Sequence, residues 1–385
     1  MKKILLIIAA IVFCLCFNAI AEVGVTDNEI IIGTCLDADG NSSWPGNDLL
    51  GGMKCYFDKV NKAGGISGKK INLVIKDDDY DPAKTAAHVK DLIEKDKVFV
   101  LNTLSGTPCG TIAKPLILSS KIPLIGIASG ADAFREPPEK YIFNVRGSYA
   151  QEAVKLVVYL VEKLKLKKIS IIYQNDAYGL PGLRAAMRKL KEYDLALCSK
   201  AIYDRGKEID EEQFNIIKES NPEAVILIAV SKSAMSYFNL AKKNNFKVKV
   251  TGISPCDAFV LMDKLGSEAD GMLMTQIMPN LDETKTTALK DFSDNIKNFA
   301  QKNFMSYEGY LDAKVLCWGM EQCGANLTRE ELVKKLESLR PGMITSGLEI
   351  SFDENDRQGA GRIFLTEIKD KKLNWIEGEA FVKTE

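Results

Sequence analysis

Apolar and polar positions change period repeatedly along this chain. Val98 to Leu101 is a short unbroken apolar run, as a buried parallel strand requires. Similar strand runs are Glu29–Thr34, Ile71–Ile75 and Ile122–Gly126. Between them the apolar residues fall at helical spacing, as in Leu49, Leu50, Met53, Phe57 and Val60. After the short strand Tyr141–Val145 the alternation begins again. Ala153, Val154, Val157, Val161 and Leu164 mark a helix, and Lys168–Tyr173 a strand. Further strands are predicted near 196–203, 224–229 and 248–252, with helices near 209–219 and 233–243. The pattern predicts an α/β fold in which a doubly wound parallel sheet is built twice. Met272–Gln276 adds a strand, helices follow near 286–304, 309–322 and 328–339, and Arg362–Ile368 with Lys372–Trp375 reads as a closing hairpin.

In an open parallel sheet, ligands bind at the carboxyl ends of strands. The stretch after Leu101 is Asn-Thr-Leu-Ser-Gly-Thr-Pro-Cys-Gly, and Thr111–Leu118 reads as the helix behind it. A hydroxyl-rich glycine turn before a helix offers Ser105, Thr107 and unpaired N–H groups to a carboxylate. The same residues also suit an ordinary capped loop. The next strand ends in Ala128-Ser129-Gly130, on the same sheet edge. The second half supplies Tyr178, Ser231 and the run Ser254-Pro-Cys-Asp257 at equivalent places. Asp257 also suits a helix N-cap. Trp44, in the loop after the first strand, reads as a pocket wall or a core residue.

Composition narrows the function. The chain has 51 basic and 52 acidic residues, a balance that argues against nucleic acid as a partner. Its length suggests two domains or more. Lys2 and Lys3, the apolar run Ile4–Phe17 and Ala19-Ile20-Ala21 form a secretion signal, with cleavage expected after Ala21. No later segment is long and apolar enough for stable membrane insertion, so an exported, soluble protein is expected. Cys14 and Cys16 follow Phe13 and Leu15, where lipid attachment needs a small residue, and are expected to leave with the leader. Seven cysteines remain, an odd number with no C-x-x-C pair, so no metal site is expected from them. His88 is the single histidine, which argues against a catalytic triad or a multi-histidine metal site. Asp77-Asp-Asp-Tyr-Asp-Pro82 lacks calcium-loop spacing, and Asp81-Pro82 reads as a helix start. Neither half opens with a phosphate-binding glycine motif. No cofactor is expected, and the chain is expected not to be an enzyme.

With these loops placed, the chain resembles the type 1 periplasmic substrate-binding proteins of ABC importers, in the branched-chain amino-acid branch. The stretches that carry the resemblance are Ile30–Gly33, Asn61–Ile71, Asp77–Pro82, Asp176–Gly179, Thr328–Glu331 and Gly347–Phe352. It implies two lobes joined by three crossings. One lobe would be 22–145 plus 276–345, the other 146–275 plus 346–385, after a signal peptide at 1–21. It implies a small-molecule ligand, an amino acid or analogue, captured between the lobes for permease subunits of the importer in the periplasm, with the protein a monomer. Ser105 and Thr107 would hold the ligand carboxylate, and the Ala128 carbonyl would face the ammonium. Gly130 stands where leucine-binding members have a threonine, with Ser129 as substitute. Tyr178 would reach the ligand from the second lobe, and Ser231 replaces a tyrosine. The acid used against the ammonium falls near Cys256, with Asp257 beside it as substitute. The rival role is a soluble presenter of ligand to a membrane sensor.

Overall fold

A computed structural model describes residues 22–39, 46–283 and 286–376. The expected leader and Trp44 lie outside the described residues. The first sheet contains β1 (Glu29–Leu36), β2 (Lys70–Asp77), β3 (Val100–Ser105), β4 (Leu124–Ala128) and β5 (Ile142–Phe143), in the order β2-β1-β3-β4-β5 and parallel throughout. Its connecting helices are α1 (Gly46–Lys62), α2 (Pro82–Glu94) and α3 (Thr107–Ser119).

The second sheet follows α4 (Tyr149–Val158). It contains β6 (Ile169–Gln174), β7 (Lys200–Tyr203), β8 (Ala224–Ile228), β9 (Lys249–Gly252) and β10 (Leu273–Gln276), joined by α5 (Gly179–Glu192), α6 (Glu211–Glu219), α7 (Ser231–Lys243) and α8 (Ala258–Leu265). The chain then returns to the first sheet as α9 (Thr287–Asn295), α10 (Phe304–Cys323) and α11 (Arg329–Glu337). It crosses back to finish as the hairpin β11 (Phe364–Lys369) and β12 (Lys372–Trp375). The hairpin is antiparallel and extends the second sheet beside β10, giving the order β12-β11-β10-β9-β8-β6-β7. Two α/β lobes with three crossings are therefore present.

The strands are buried because both sheet faces carry helices. β8, Ala-Val-Ile-Leu-Ile, is buried at every residue. α10 is buried along most of its length and packs backbone to backbone on α1. Glycine makes that approach possible: a Cβ on Gly52 would lie 1.8 Å from the Ser306 carbonyl oxygen.

Some boundaries shift from the sequence pattern. α3 begins at Thr107, because Gly106 supplies the turn and Pro108 fits the first helical turn, where an N–H is not needed. β7 starts only at Lys200, on the sheet edge, where half its residues face solvent. The predicted helix near 286–304 breaks into α9 and a short 3-10 turn, Ile296–Asn298. Asp81 caps α2 as expected, accepting from the Ala83 N–H at 2.8 Å.

Candidate functional site

β3 is irregular where it nears its end. Its register against β1 slips between Gly33 and Cys35, and Thr103 sits at φ +59°, a strained conformation for a β-branched residue. The Thr34 hydroxyl holds the Thr103 carbonyl at 2.8 Å, and Thr103 Oγ1 donates to Asp312 Oδ2 at 2.8 Å. A bulge of this kind re-aims the residues that follow it. Ser105 then pairs beside Ala128, so the ends of β3 and β4 stand together.

Ser105 is fully buried and its hydroxyl has no partner. The Thr107 and Ser129 hydroxyls meet at 2.8 Å, and Ser129 Oγ accepts from the Ala131 N–H at 3.2 Å. The carbonyls of this loop are occupied. Ala128 O accepts from the Gly106 N–H at 3.2 Å, and Gly130 O from the Tyr149 N–H at 2.8 Å. Arg135 donates to Ser129 O and Ala131 O at 3.1 and 3.0 Å, and to Arg146 O at 3.0 Å. Its Nε donates to Gln358 Oε1 at 2.9 Å, which joins the loop to the first and third crossings. Burial, with the nearby Arg146 cation adding to it, lowers the Arg135 pKa to about 10.

The second sheet meets this loop through aromatic rings. Tyr149 opens α4, and its ring packs edge-on against Tyr178 at 4.9 Å. The Tyr178 hydroxyl donates to Ala229 O at 3.0 Å. The Cys256 thiol donates to the same carbonyl at 3.2 Å, and burial pushes its pKa up to about 12. Asp257 Oδ1 accepts from the N–H groups of Phe259 and Val260 at 3.1 and 3.2 Å, the geometry of a cap on α8. Burial raises its pKa, and the nearby Asp48 carboxylate adds to the shift. Ser231 is half-buried at the first position of α7. The structure thus brings Ser105, Thr107, Ala128, Ser129 and Gly130 together, with Tyr178 joined to them through Tyr149. Asp257, next to Cys256, has one carboxylate oxygen engaged by its own helix.

Beneath the loop lies a buried charge cluster. Arg146, in the first crossing, is 2% exposed. Its Nη1 lies 3.4 Å from Glu308 Oε2 on α10, and its Nη2 lies 3.7 Å from Glu152 Oε1 and 3.0 Å from Ser254 Oγ. Glu152 also accepts from the Ser254 N–H, the Ser254 hydroxyl and the Thr275 hydroxyl at 2.7, 2.9 and 2.6 Å. Burial raises the Glu152 and Glu308 pKa values against the opposing pull of Arg146. Burial raises Asp312 well above the carboxylate range, with the nearby Glu308 adding to the shift.

Sequence reasoning missed Tyr149, Arg146, Arg135 and Tyr80. A readable signal was Ser148-Tyr-Ala-Gln151, which forms a complete capping box and fixes Tyr149 as the first helical residue. Tyr80 comes from the acidic run, and its ring covers Gly106, where a Cβ would lie 2.2 Å from it. In that run, Asp77 and Asp79 approach Asp37, with ligand atoms within 4.8 Å of one another. Asp77 accepts from the N–H groups of Asp39 and Asp79 at 3.1 and 2.9 Å, so it serves its own loop.

Two α/β lobes meeting at hydroxyl-bearing strand ends define a two-lobed binding protein. A family model described as periplasmic binding protein matches residues 29–372, and the chain belongs to that family. The Leu/Ile/Val-binding protein homolog 3 of Brucella melitensis is 23% identical over 332 residues, covering 81% of this chain and 84% of that protein. The crystal structure of a possible leucine/isoleucine/valine-binding protein from Rhodopirellula baltica superposes with a TM-score of 0.85 at 24% identity, covering 91% and 96% of the two chains. A fatty acid ABC transporter substrate-binding protein from Thermomonospora curvata gives 0.80 at 21% identity, covering 93% and 95%. The sequence resemblance to the type 1 branched-chain amino-acid branch is thereby supported, and the fold is that of these neighbours.

Proposed function

We propose that this protein is the non-catalytic solute-binding component of an ABC importer. It captures an amino acid or a related small carboxylate or amide between its lobes and closes over it. The observation that carries this reading is the Ser105 hydroxyl, fully buried and unpartnered at the start of α3. A buried hydroxyl without a partner costs about 1–3 kcal/mol, and a carboxylate at the helix N-terminus removes that cost. Thr107, Ser129 and neighbouring N–H groups complete the carboxylate side, with Ala128 and Gly130 as backbone walls and Tyr178 on the opposite lobe. Ser231 borders the cleft at the first position of α7. The relatives named for leucine, isoleucine and valine, and the one named for a fatty acid, support a carboxylate ligand. The lobes are 22–145 with 276–345 and 146–275 with 346–385, and the mature protein is periplasmic. Among the described residues no helix is long and apolar enough to cross a membrane.

The test is a thermal-shift screen of amino acids, carboxylic acids, amides and sugars on the mature chain. Calorimetry then compares the stabilising compound on wild type and Ser105→Ala. The expected result is stabilisation by a carboxylate or amide and weaker binding in the variant. Stabilisation by sugars alone overturns the reading.

A further inference from the structure

Ser105 can meet a ligand, as the function proposed above requires, only if its side chain leaves the correct face of β3. Side chains of a strand alternate between two faces, so residues two apart share one. β1 obeys this. A Cβ on Gly33 would touch Leu92, Val98 and Leu101, and Cys35 packs in the same core, beneath α2 and α3. β3 does not obey it. Leu101 and Leu104, three apart, both belong to the α2–α3 core. β4 departs at the same level. Leu124 and Ile127 belong to that core, while Ile125 and Ala128 belong to the one beneath α1 and α10.

Leu101 pairs with Leu124 and Leu104 with Ile127, so the extra residues Thr103 and Gly126 lie at one level in neighbouring strands. Both have positive φ, +59° and +78°. Regular alternation would give Ser105 the face of Leu101 and turn it under α3. The doubled kink instead sets it beside Ala128, on the α10 side.

Gly126 adopts such a backbone freely, and Thr103 does not. Two hydrogen bonds hold Thr103. Thr34 Oγ1 donates to its carbonyl, and its own Oγ1 donates to Asp312 Oδ2, each at 2.8 Å. Asp312 reaches it through the space that Gly126 leaves open, where a Cβ would lie 2.2 Å from Oδ2. One carboxyl group of α10 therefore meets the kink in both strands. That group is costly to bury. Asp312 is 1% exposed, and burial disfavours its charge, with Glu308 one turn away adding to the effect. The nearby Arg146 is shared with Glu308 and Glu152. Leucine would fill the same place without the cost of a buried polar group. What leucine lacks is an oxygen for Thr103.

We propose that Asp312 is a positioning residue for ligand capture: through Thr103 it fixes the kink of β3 and β4 that places the Ser105 hydroxyl on the cleft side. It acts through Ser105 and not on the ligand.

A double-mutant cycle tests this by calorimetry on the mature chain. The probes are leucine, valine, glutamate, 4-methyl-2-oxopentanoate and decanoate. Thr103→Val keeps the side-chain shape without the hydroxyl, and should weaken whichever probe binds the wild type by about tenfold or more, as should Asp312→Leu. Thr103→Ser keeps the hydroxyl and should return the affinity to within about threefold of wild type. In a Ser105→Ala background, Thr103→Val should cost no more than about twofold, because the group it aims is gone. General destabilisation would not depend on Ser105 in this way. Full additivity in the cycle, or wild-type affinity in Thr103→Val, overturns the inference and leaves the importer function standing. Should Asp312→Leu fail to fold, the Thr103 cycle decides alone. Wild-type affinity in Ser105→Ala, or failure of every probe on the wild type, overturns both the inference and the carboxylate site beneath it.

Discussion

Removing the Arg146 cation should destabilise the protein mainly through the carboxylates it leaves behind. Arg146→Met keeps much of the side-chain stem. Glu152 retains its three donors from Ser254 and Thr275. Glu308 loses the guanidinium 3.4 Å away, and it is 1% exposed. Breaking a buried pair on one side costs about 3–5 kcal/mol, more than the pair's own net worth, because a charge is left uncompensated. Glu308→Gln in the same background removes that charge and should recover about 2 kcal/mol or more. Urea unfolding of the wild type, both single variants and the double variant completes the cycle. The pH dependence has a definite sign. Without Arg146 the folded Glu308 pKa rises further above its unfolded value, so its contribution to stability falls as pH increases. The loss in Arg146→Met should therefore be smaller at pH 5 than at pH 8. Additive single effects, or a loss independent of pH, would refute the assignment of Glu308 as the stranded charge.

Three further outcomes are expected. Asp312 has a folded pKa well above its unfolded one, so its contribution is complete below the unfolded carboxylate range and lost as pH rises. Asp312→Asn keeps an acceptor for Thr103 and should flatten the stability profile above pH 5, by up to about 1.4 kcal/mol per pH unit, in melting curves at pH 5, 6.5 and 8. Gly126 has φ +78°, and a Cβ there would lie 2.2 Å from Asp312 Oδ2. Gly126→Ala should cost about 2–4 kcal/mol in urea unfolding from strain and overpacking. Of the seven cysteines from Cys35 onward only Cys198 is exposed, so a thiol reagent should titrate one group quickly in the folded mature chain and seven after denaturation.

The strand runs were legible because parallel strands covered on both faces read as continuous apolar segments. β3, β4, β6 and β8 all show this. The hydroxyl-bearing turn between β3 and α3 was legible for a local reason. Ser105, Gly106, Thr107 and Pro108 lie within four positions, and helix-start chemistry is written in neighbouring residues. The charge cluster was not legible. Glu308 and Arg146 are 162 positions apart, and nothing near Glu308 marks it as facing a crossing rather than solvent. Asp257 shows the limit from the other side. An acid before a helix suits a ligand or a cap equally in sequence, and only the N–H groups of Phe259 and Val260 reveal where its oxygen points.

The threefold crossing has a consequence for how the chain is made. The five strands of the first sheet are complete by Phe143, yet α10, which covers one face, spans Phe304–Cys323. The second sheet in turn waits for β11, whose Phe364 pairs with Gln276. The first core cannot close before Cys323 has been made, nor the second before Lys369. A nascent chain of this design remains without a finished hydrophobic interior until those late segments have emerged, and a fragment cut at either sheet's last early strand is half a core rather than a lobe.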